Sequence, residues 1–301
     1  MEDSLFSTYM LPGALAFIMA GMGLSLEFRD FFNILKYPRS IFVGIFCQLI
    51  VLPAITIALF SFVDLSPSIK VGFIIITACA GGAATNLITH LLKGNVALSI
   101  SLTAVNSLLV LVSLPVIVNL GLYVFMEEAR EIHLPVWDTV SNILFTIILP
   151  TLSGMIFRYY HPRVAMRIEG VLKYFMIALL FVVFVVLIFF DKEPGDAHFN
   201  EYIYLIPWAL LLNFLSMFIV YLAAYYSRLG GKNTFTLSVE VGLKNSIIGA
   251  FVARSLLQNY DMTMVSVVYG SFTFFSTLLF GYLLKRFEWY GGFYGLWKKI
   301  S

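Results

Sequence analysis

Charge is what this sequence has least of. Only 12% of its 301 residues are Asp, Glu, Lys or Arg, about half the share found in a soluble domain, and the mean hydropathy is +0.92. No water-soluble fold hides the apolar surface that 60% hydrophobic residues bring. Cysteine is nearly absent. Cys47 and Cys79 both lie inside apolar runs, where a thiol behaves as a small hydrophobe, so neither a disulfide framework nor a redox compartment follows. The net charge of +2 is small and dispersed, which excludes a nucleic-acid surface. The opening residues, MEDSLFSTYMLPG, lack the basic start and small-residue cleavage site of a signal peptide, so the first apolar run is expected to be retained. GxGD, HExxH and GxSxG motifs are missing. Of the four histidines, His133, His161 and His198 fall in loops and His90 reads as interfacial, so an enzyme is not expected.

What the sequence does have is apolar length. Short charged clusters separate runs of about 17 to 25 residues, enough to cross a hydrocarbon core of about 30 Å. Nine transmembrane helices are expected, at about residues 9–26, 41–62, 71–92, 96–125, 136–158, 171–190, 202–226, 233–257 and 262–284. Pro53, Pro115, Pro150 and Pro207 fall inside these runs; a membrane bundle tolerates them because its neighbours re-satisfy the freed backbone. Loop charge sets the orientation. With the N-terminus outside, the cytoplasmic segments hold Arg29, Lys36, Arg39, Lys93, Arg158, Arg163, Arg167, Lys173, Arg228, Lys232, Lys285, Arg286, Lys298 and Lys299. The outer loops hold Lys70, Arg130, Lys192 and Arg254, and Lys244 lies within the membrane. The expectation is therefore a single transmembrane domain, 1–301, in the plasma (inner) membrane, surrounded by lipid, with its C-terminus in the cytoplasm. The first four spans (about 9–125) and the last four (about 171–284) run oppositely, because span five (136–158) adds an odd crossing between them. Inverted repeats of this kind are common in secondary transporters.

Polar residues inside the spans carry the chemistry. The third span contains Gly81, Gly82, Ala83, Ala84, Thr85 and Asn86. A glycine pair at that depth weakens the helix, and an unwound stretch exposes carbonyls and half-helix N-termini that hold ions and anions; close helix packing through small residues is the other reading. The eighth span runs Ser238-Val239-Glu240-Val241-Gly242-Leu243-Lys244-Asn245-Ser246, with two intramembrane charges four residues apart. Ionisable groups at this depth are costly and by default functional, the alternative being a self-neutralising pair on one helix face. Asn86 lies seven residues before Lys93, and Glu240 seven after Asn233. Both then sit about 10 Å from the cytoplasmic face, so two broken helices that cross would bring them together. Ser99 and Thr103 share a face of span four, and span two adds Gln48. With Thr85, Asn86 and Glu240 they form an oxygen cage suited to a small hard cation.

At these residues the sequence resembles the bile acid:sodium symporter family. The resemblance covers nearly the whole chain and is strongest in GMGLSLEFRDF at the end of span one, GGAATNLITHLLKGNVALSISLT from 81 to 103, and SVEVGLKNS from 238 to 246. It implies the nine-span form of an all-α membrane fold: a core domain around two discontinuous crossing helices, a panel domain beside it, and alternating access by their relative motion. It places a first sodium site at Thr85, Asn86, Ser99, Thr103 and Glu240. The second would use Gln48, Glu240, the carbonyls of Val241 and Leu243, and a glutamine where this chain has Lys244. An ammonium there can satisfy the same oxygens and repels a nearby sodium, so Lys244 is expected to replace the second ion. Sodium or a proton remains as coupling ion, and no other cofactor is expected. Carried-over substrate contacts are the backbone of Gly82 and Ala83, with Asn86, Asn245, Ser246 and Thr273. Phe272 and Thr273 replace the His-Asn pair of bacterial relatives, pointing to a more apolar or differently shaped substrate. Helix N-termini favour a carboxylate or sulfonate. The expected function is a cation-coupled secondary transporter of a small organic anion, with a proton-coupled or sodium-independent carrier of the same fold and a non-transporting membrane receptor as alternatives.

Overall fold

In hydrocarbon every backbone N–H and C=O must find a partner within the chain, which drives spanning segments of this composition into helix. The computed structural model describes residues 6–32, 35–126, 136–191 and 199–289, and among them helix is the only regular structure. The α-helices are α1 (Leu11–Gly23), α2 (Phe28–Phe32), α3 (Pro38–Phe46), α4 (Leu52–Ser61), α5 (Pro67–Ala78), α6 (Ala83–Leu91) and α7 (Val96–Phe125). There follow α8 (Val136–Ile143), α9 (Leu149–Tyr160), α10 (Pro162–Phe189), α11 (Leu205–Tyr226), α12 (Gly231–Gly242), α13 (Ser246–Phe251) and α14 (Tyr260–Trp289). Wider π turns at Cys47–Val51 and Leu144–Ile148 join α3 to α4 and α8 to α9, just ahead of Pro53 and Pro150. A proline cannot serve the carbonyl four residues back, and one extra residue in the turn relieves that conflict.

Among the described residues, seven segments are long and apolar enough to cross a membrane: Phe6–Gly23, Pro38–Ser61, Val96–Phe125, Trp137–Tyr160, Leu205–Tyr226, Gly231–Leu256 and Tyr260–Arg286. An eighth is α10, bent by 43° between Leu172 and Tyr174. The chain is a multi-pass membrane protein. The remaining expected span, 71–92, is not one rod: α5 stops at Ala78 and α6 starts at Ala83. Exposed Tyr9, Tyr123, Trp137 and Tyr204 mark the helix ends expected outside, and exposed Tyr159, Tyr160 and Tyr226 the opposite ends, as in the aromatic belts of bilayer interfaces.

Two sequence expectations change here. The unwound stretch of span three is Cys79–Gly82, so Thr85 and Asn86 sit in the first turns of α6 rather than in the break. Arg254, expected in an outer loop, lies in the helical turn Val252–Leu256 and is 5% exposed, because a buried carboxylate meets it there. Arg130, Lys192, Lys298, Lys299, His133 and His198 lie outside the described residues.

The helices pack in two groups. Helices α1, α9 and α10 pack on one another, and the other long helices surround α12 and α13, which are almost wholly buried. In the first group α1 and α9 meet backbone to backbone. A Cβ on Gly23 would lie 2.1 Å from the Thr151 carbonyl oxygen, and one on Gly154 2.2 Å from that of Ala20. Small residues allow this approach in a membrane, where packing replaces the hydrophobic drive. Below the crossing, Arg158 donates to Leu24 O at 2.7 Å, to Glu169 at 3.1 Å and to Glu27 at 3.1 Å, tying the three helices at one end. Gly154→Ala is expected to cost about 1–3 kcal/mol through overpacking, read as a lower melting temperature of the purified protein. Gly170→Ala, inside α10 with nothing within 4 Å of its Cβ, is the control expected not to lower it.

Candidate functional site

The first break opens after Ala78 and the second after Gly242. After α5 the chain runs extended through Cys79 (φ −68°, ψ 142°) and Gly82 (φ −121°, ψ 177°) before α6 begins. After α12 it runs extended at Leu243 (φ −97°, ψ 124°), and Asn245 caps α13 by accepting from the Ile248 N–H at 3.3 Å. The breaks meet: the Asn245 N–H donates to the Ala80 carbonyl at 2.9 Å. Gly81 allows the close approach here: a Cβ would stand 2.9 Å from Glu240 Oε1, which would have to shift.

Glu240, 2% exposed, lies at the crossing. Thr103 Oγ1 donates to Glu240 Oε1 at 2.5 Å, and Ser99 Oγ stands 2.8 Å from Glu240 Oε2 and 2.8 Å from Asn86 Oδ1. One hydroxyl proton serves one of those two acceptors, so the cage holds more lone pairs than protons. Thr85 Oγ1 donates to Gly82 O at 2.8 Å and lies 3.4 Å from Thr103 Oγ1. Thr85, Asn86, Ser99, Thr103 and Glu240 are thus brought together from α6, α7 and α12. Hydroxyl, amide and carboxylate oxygens alone make a donor set that fits a hard monovalent cation.

Lys244 turns to other partners. Its ammonium, in a residue only 6% exposed, donates to Gln48 Oε1 at 2.5 Å. Gln48 Nε2 in turn donates to Thr77 O at 3.1 Å and Cys79 O at 2.9 Å, the carbonyls that α5 leaves open where it ends. Among the described residues the ion pairs within 4.0 Å are Arg29–Glu27, Arg158–Glu27, Arg158–Glu169 and Arg254–Asp191. The self-neutralising Glu240–Lys244 pair is therefore absent, because the helix unwinds at Leu243 and the i, i+4 geometry is lost. Val241 is buried in an apolar cluster with Leu98, Leu102 and Cys47.

The substrate positions divide. Gly82 and Ala83 open α6, and a Cβ on Gly82 would meet nothing within 4 Å. The Asn245 side chain is committed to its cap, while Ser246 Oγ is buried without a partner against Gly270 of α14. Thr273 is buried on α14, with Ser276 Oγ donating to its carbonyl at 3.2 Å, and no hydrogen bond carries it to the crossing.

Sequence reasoning missed the group that closes the second break. Asn213 Nδ2 donates to Gly242 O at 2.6 Å and to Tyr269 Oη at 3.1 Å, and Tyr269 Oη donates to the same Gly242 carbonyl at 3.0 Å. Ser276 Oγ donates to Asn213 Oδ1 at 2.9 Å. The signal was a single amide in the otherwise apolar α11, the kind of intramembrane polar residue that needs a named partner.

A bundle of apolar helices with an oxygen cage where two interrupted helices touch defines a polytopic membrane protein built around one buried polar centre. The model of the Sodium Bile acid symporter family matches residues 12–193, and the chain belongs to that family. A sodium-dependent transporter of Bacillus subtilis, named as uncharacterized, is 27% identical over 80% of this chain and 72% of its own length. A rice protein named "Probable sodium/metabolite cotransporter BASS2, chloroplastic" is 27% identical over 89% of this chain, which spans 61% of that longer protein. The ileal sodium/bile acid cotransporter of Oryctolagus cuniculus is 23% identical over 83% of the chain and 71% of its own length.

Because Asn213 and Tyr269 serve one carbonyl, Asn213→Leu and Tyr269→Phe are each expected to cost about 1–3 kcal/mol of stability. The double variant should cost more than their sum, since only then is Gly242 O orphaned. Thermal melts of the three variants check this, and simple additivity would mean the carbonyl is not shared.

Proposed function

We propose that this protein is a secondary active transporter of a small organic anion, coupled to one sodium ion held by Thr85, Asn86, Ser99, Thr103 and Glu240. The observation that carries the reading is the Glu240 carboxylate buried between two broken helices, held by the hydroxyls of Ser99 and Thr103 with the Asn86 amide oxygen beside them. A carboxylate this deep needs a compensating charge, and Lys244 is bonded elsewhere. A sodium ion shared by α6, α7 and α12 would neutralise Glu240 and fix the crossing, so ion loading and anion binding become linked. The names of the relatives, sodium-dependent transporters and cotransporters, agree with this reading.

The second sodium site, formed in the resemblance by Gln48, Glu240, Val241 and Leu243, is taken over by Lys244. The Gln48 oxygen that would face the ion accepts from the ammonium at 2.5 Å. A sodium about 4 Å from that charge would be opposed by about 4 kcal/mol at an effective dielectric near 20. A proton-coupled or sodium-independent carrier is the second reading, favoured by this same contact. The anion sits at Gly82, Ala83, Asn86, Asn245 and Ser246, with Thr273 behind them: Gly82 borders open space, the Ser246 hydroxyl lacks a partner, and the helix starts present N–H groups. A carboxylate or sulfonate suits such donors.

The architecture behind this reading is nine spans in inverted repeats, 9–125 and 171–284, with span five between them. The broken α5–α6 pair and the bent α10 count as one span each. Helices α1, α8, α9 and α10 form the panel and the rest the core, in one domain over 1–301, with the N-terminus outside in the plasma membrane.

In proteoliposomes, sodium-driven uptake of an organic anion is expected with a Hill coefficient for sodium near one. Lys244→Gln should raise it toward two, and Glu240→Gln should abolish sodium dependence. A wild-type coefficient near two would sink the lysine replacement, and uptake indifferent to sodium would favour the second reading.

A further inference from the structure

Helices α1 and α10 share an apolar core with the remaining bundle, and the polar contacts between them gather at one end. Arg254 Nε donates to Asp191 Oδ2 at 2.5 Å and Arg254 Nη2 to Asp191 O at 2.9 Å. Ser255 Oγ donates to Ser7 O at 2.6 Å, and Tyr260 Oη to Leu187 O at 3.2 Å. Arg254 also lies over the Tyr260 ring, 5.8 Å from its centroid. Ser7, Leu187 and Asp191 belong to the α1 and α10 ends; Arg254, Ser255 and Tyr260 belong to the other group. Arg254 stands ten residues past Lys244, about 15 Å along a helix, on the side expected outside. The same two groups also enclose a small apolar void, where Leu26, Ala104 and Met155 are buried in one cluster. Leu26, Thr151, Leu152 and Met155 line it from one group, Ala104 and Ser107 from the other.

We propose that Asp191 and Arg254 form the outer latch of the transport cycle, closed here, and that outward opening requires the contacts around them to break together. The inference rests on the transporter reading for its two moving bodies and for which side is outer. The chemistry suits a latch that must reopen. The side chains of Asp191 and Arg254 are 0% and 5% exposed, so the closed pair is dry. When the bodies part at the outer face both charges regain water, which returns the desolvation penalty and makes the two states close in free energy. An apolar plug of similar size would have to expose its surface to water on every cycle. The planar guanidinium, reaching a carboxylate oxygen and a main-chain carbonyl of one residue, also fixes the register in which the bodies close.

The test labels a cysteine at the seam from outside. Leu187 is fully buried beside Tyr260, and the native Cys47 and Cys79 are buried as well. In right-side-out vesicles, Leu187→Cys should react slowly with a membrane-impermeant maleimide. Adding Arg254→Gln should speed it at least about tenfold, a shift of about 1.4 kcal/mol in the equilibrium between the two states. The exchanged pair Asp191→Arg with Arg254→Asp should bring the rate back toward the parent value. Unchanged labelling in a folded Arg254→Gln protein would overturn the latch. If that variant does not fold, Ser255→Ala with Tyr260→Phe removes two contacts while keeping the ion pair; about threefold faster labelling is then expected, and no change overturns the proposal. Because labelling needs no substrate, the two readings separate: unchanged labelling with intact sodium-driven uptake removes the latch alone, and faster labelling in a protein that carries no anion supports the latch and removes the transport reading.

Discussion

A helix interrupted inside a membrane leaves carbonyls and N–H groups with nothing to bond to, and hydrocarbon offers them no water. Each such group costs about 1–3 kcal/mol if buried unmet, so two breaks are tolerable only if the chain supplies partners for both. Much of the buried polar chemistry answers that need. The Asn245 N–H meets Ala80 O, so one break satisfies part of the other. Gln48 covers Thr77 O and Cys79 O, and Asn213 with Tyr269 covers Gly242 O. Glu240 can then face inward to the hydroxyls of Ser99 and Thr103 instead of being drawn to an orphan N–H.

The same constraint separates the two intramembrane charges. On an unbroken helix Glu240 and Lys244 would lie on one face and pair; with Leu243 extended, the ammonium swings to Gln48 and the carboxylate keeps to α7. One charge is held only by hydroxyls. The other ties the unwound segment after α12 to the end of α5 through Gln48, work that an ion coming and going would do only part of the time.

Most of this was legible because membrane burial makes every polar residue expensive, hence visible against an apolar background. The spans follow from run length, and the meeting of Asn86 with Glu240 follows from counting residues inward from the charged ends, which works because helical rise is fixed. Counting cannot find where a helix unwinds: Gly81 and Gly82 marked the region, but the break begins at Cys79, where the carbonyls released are those Gln48 can reach. Nor could spacing show that Arg254 is buried, because its partner Asp191 lies 63 residues away across the seam between the two helix groups. Asn213 was overlooked for a simpler reason. One amide in an apolar helix looks like a tolerated impurity until the carbonyl it serves is known.

Gln48 and Asn213 are worth setting side by side. Gln48 lies in the second expected span and Asn213 in the seventh, the positions that two inverted four-span repeats would bring into correspondence. Each donates its amide N–H to carbonyls at the C-terminal end of the first half of the following broken helix: Gln48 where α5 ends, Asn213 where α12 ends. The two breaks therefore agree in mechanics even where their residues differ in kind. They part company in what the amide oxygen receives, the Lys244 ammonium at Gln48 and the Ser276 hydroxyl at Asn213. That asymmetry puts the fixed positive charge at the first break. Two breaks of similar construction then leave a single buried carboxylate, Glu240, without an ion-pair partner within 4.0 Å among the described residues, which is the electrostatic condition that the proposed single-cation site requires.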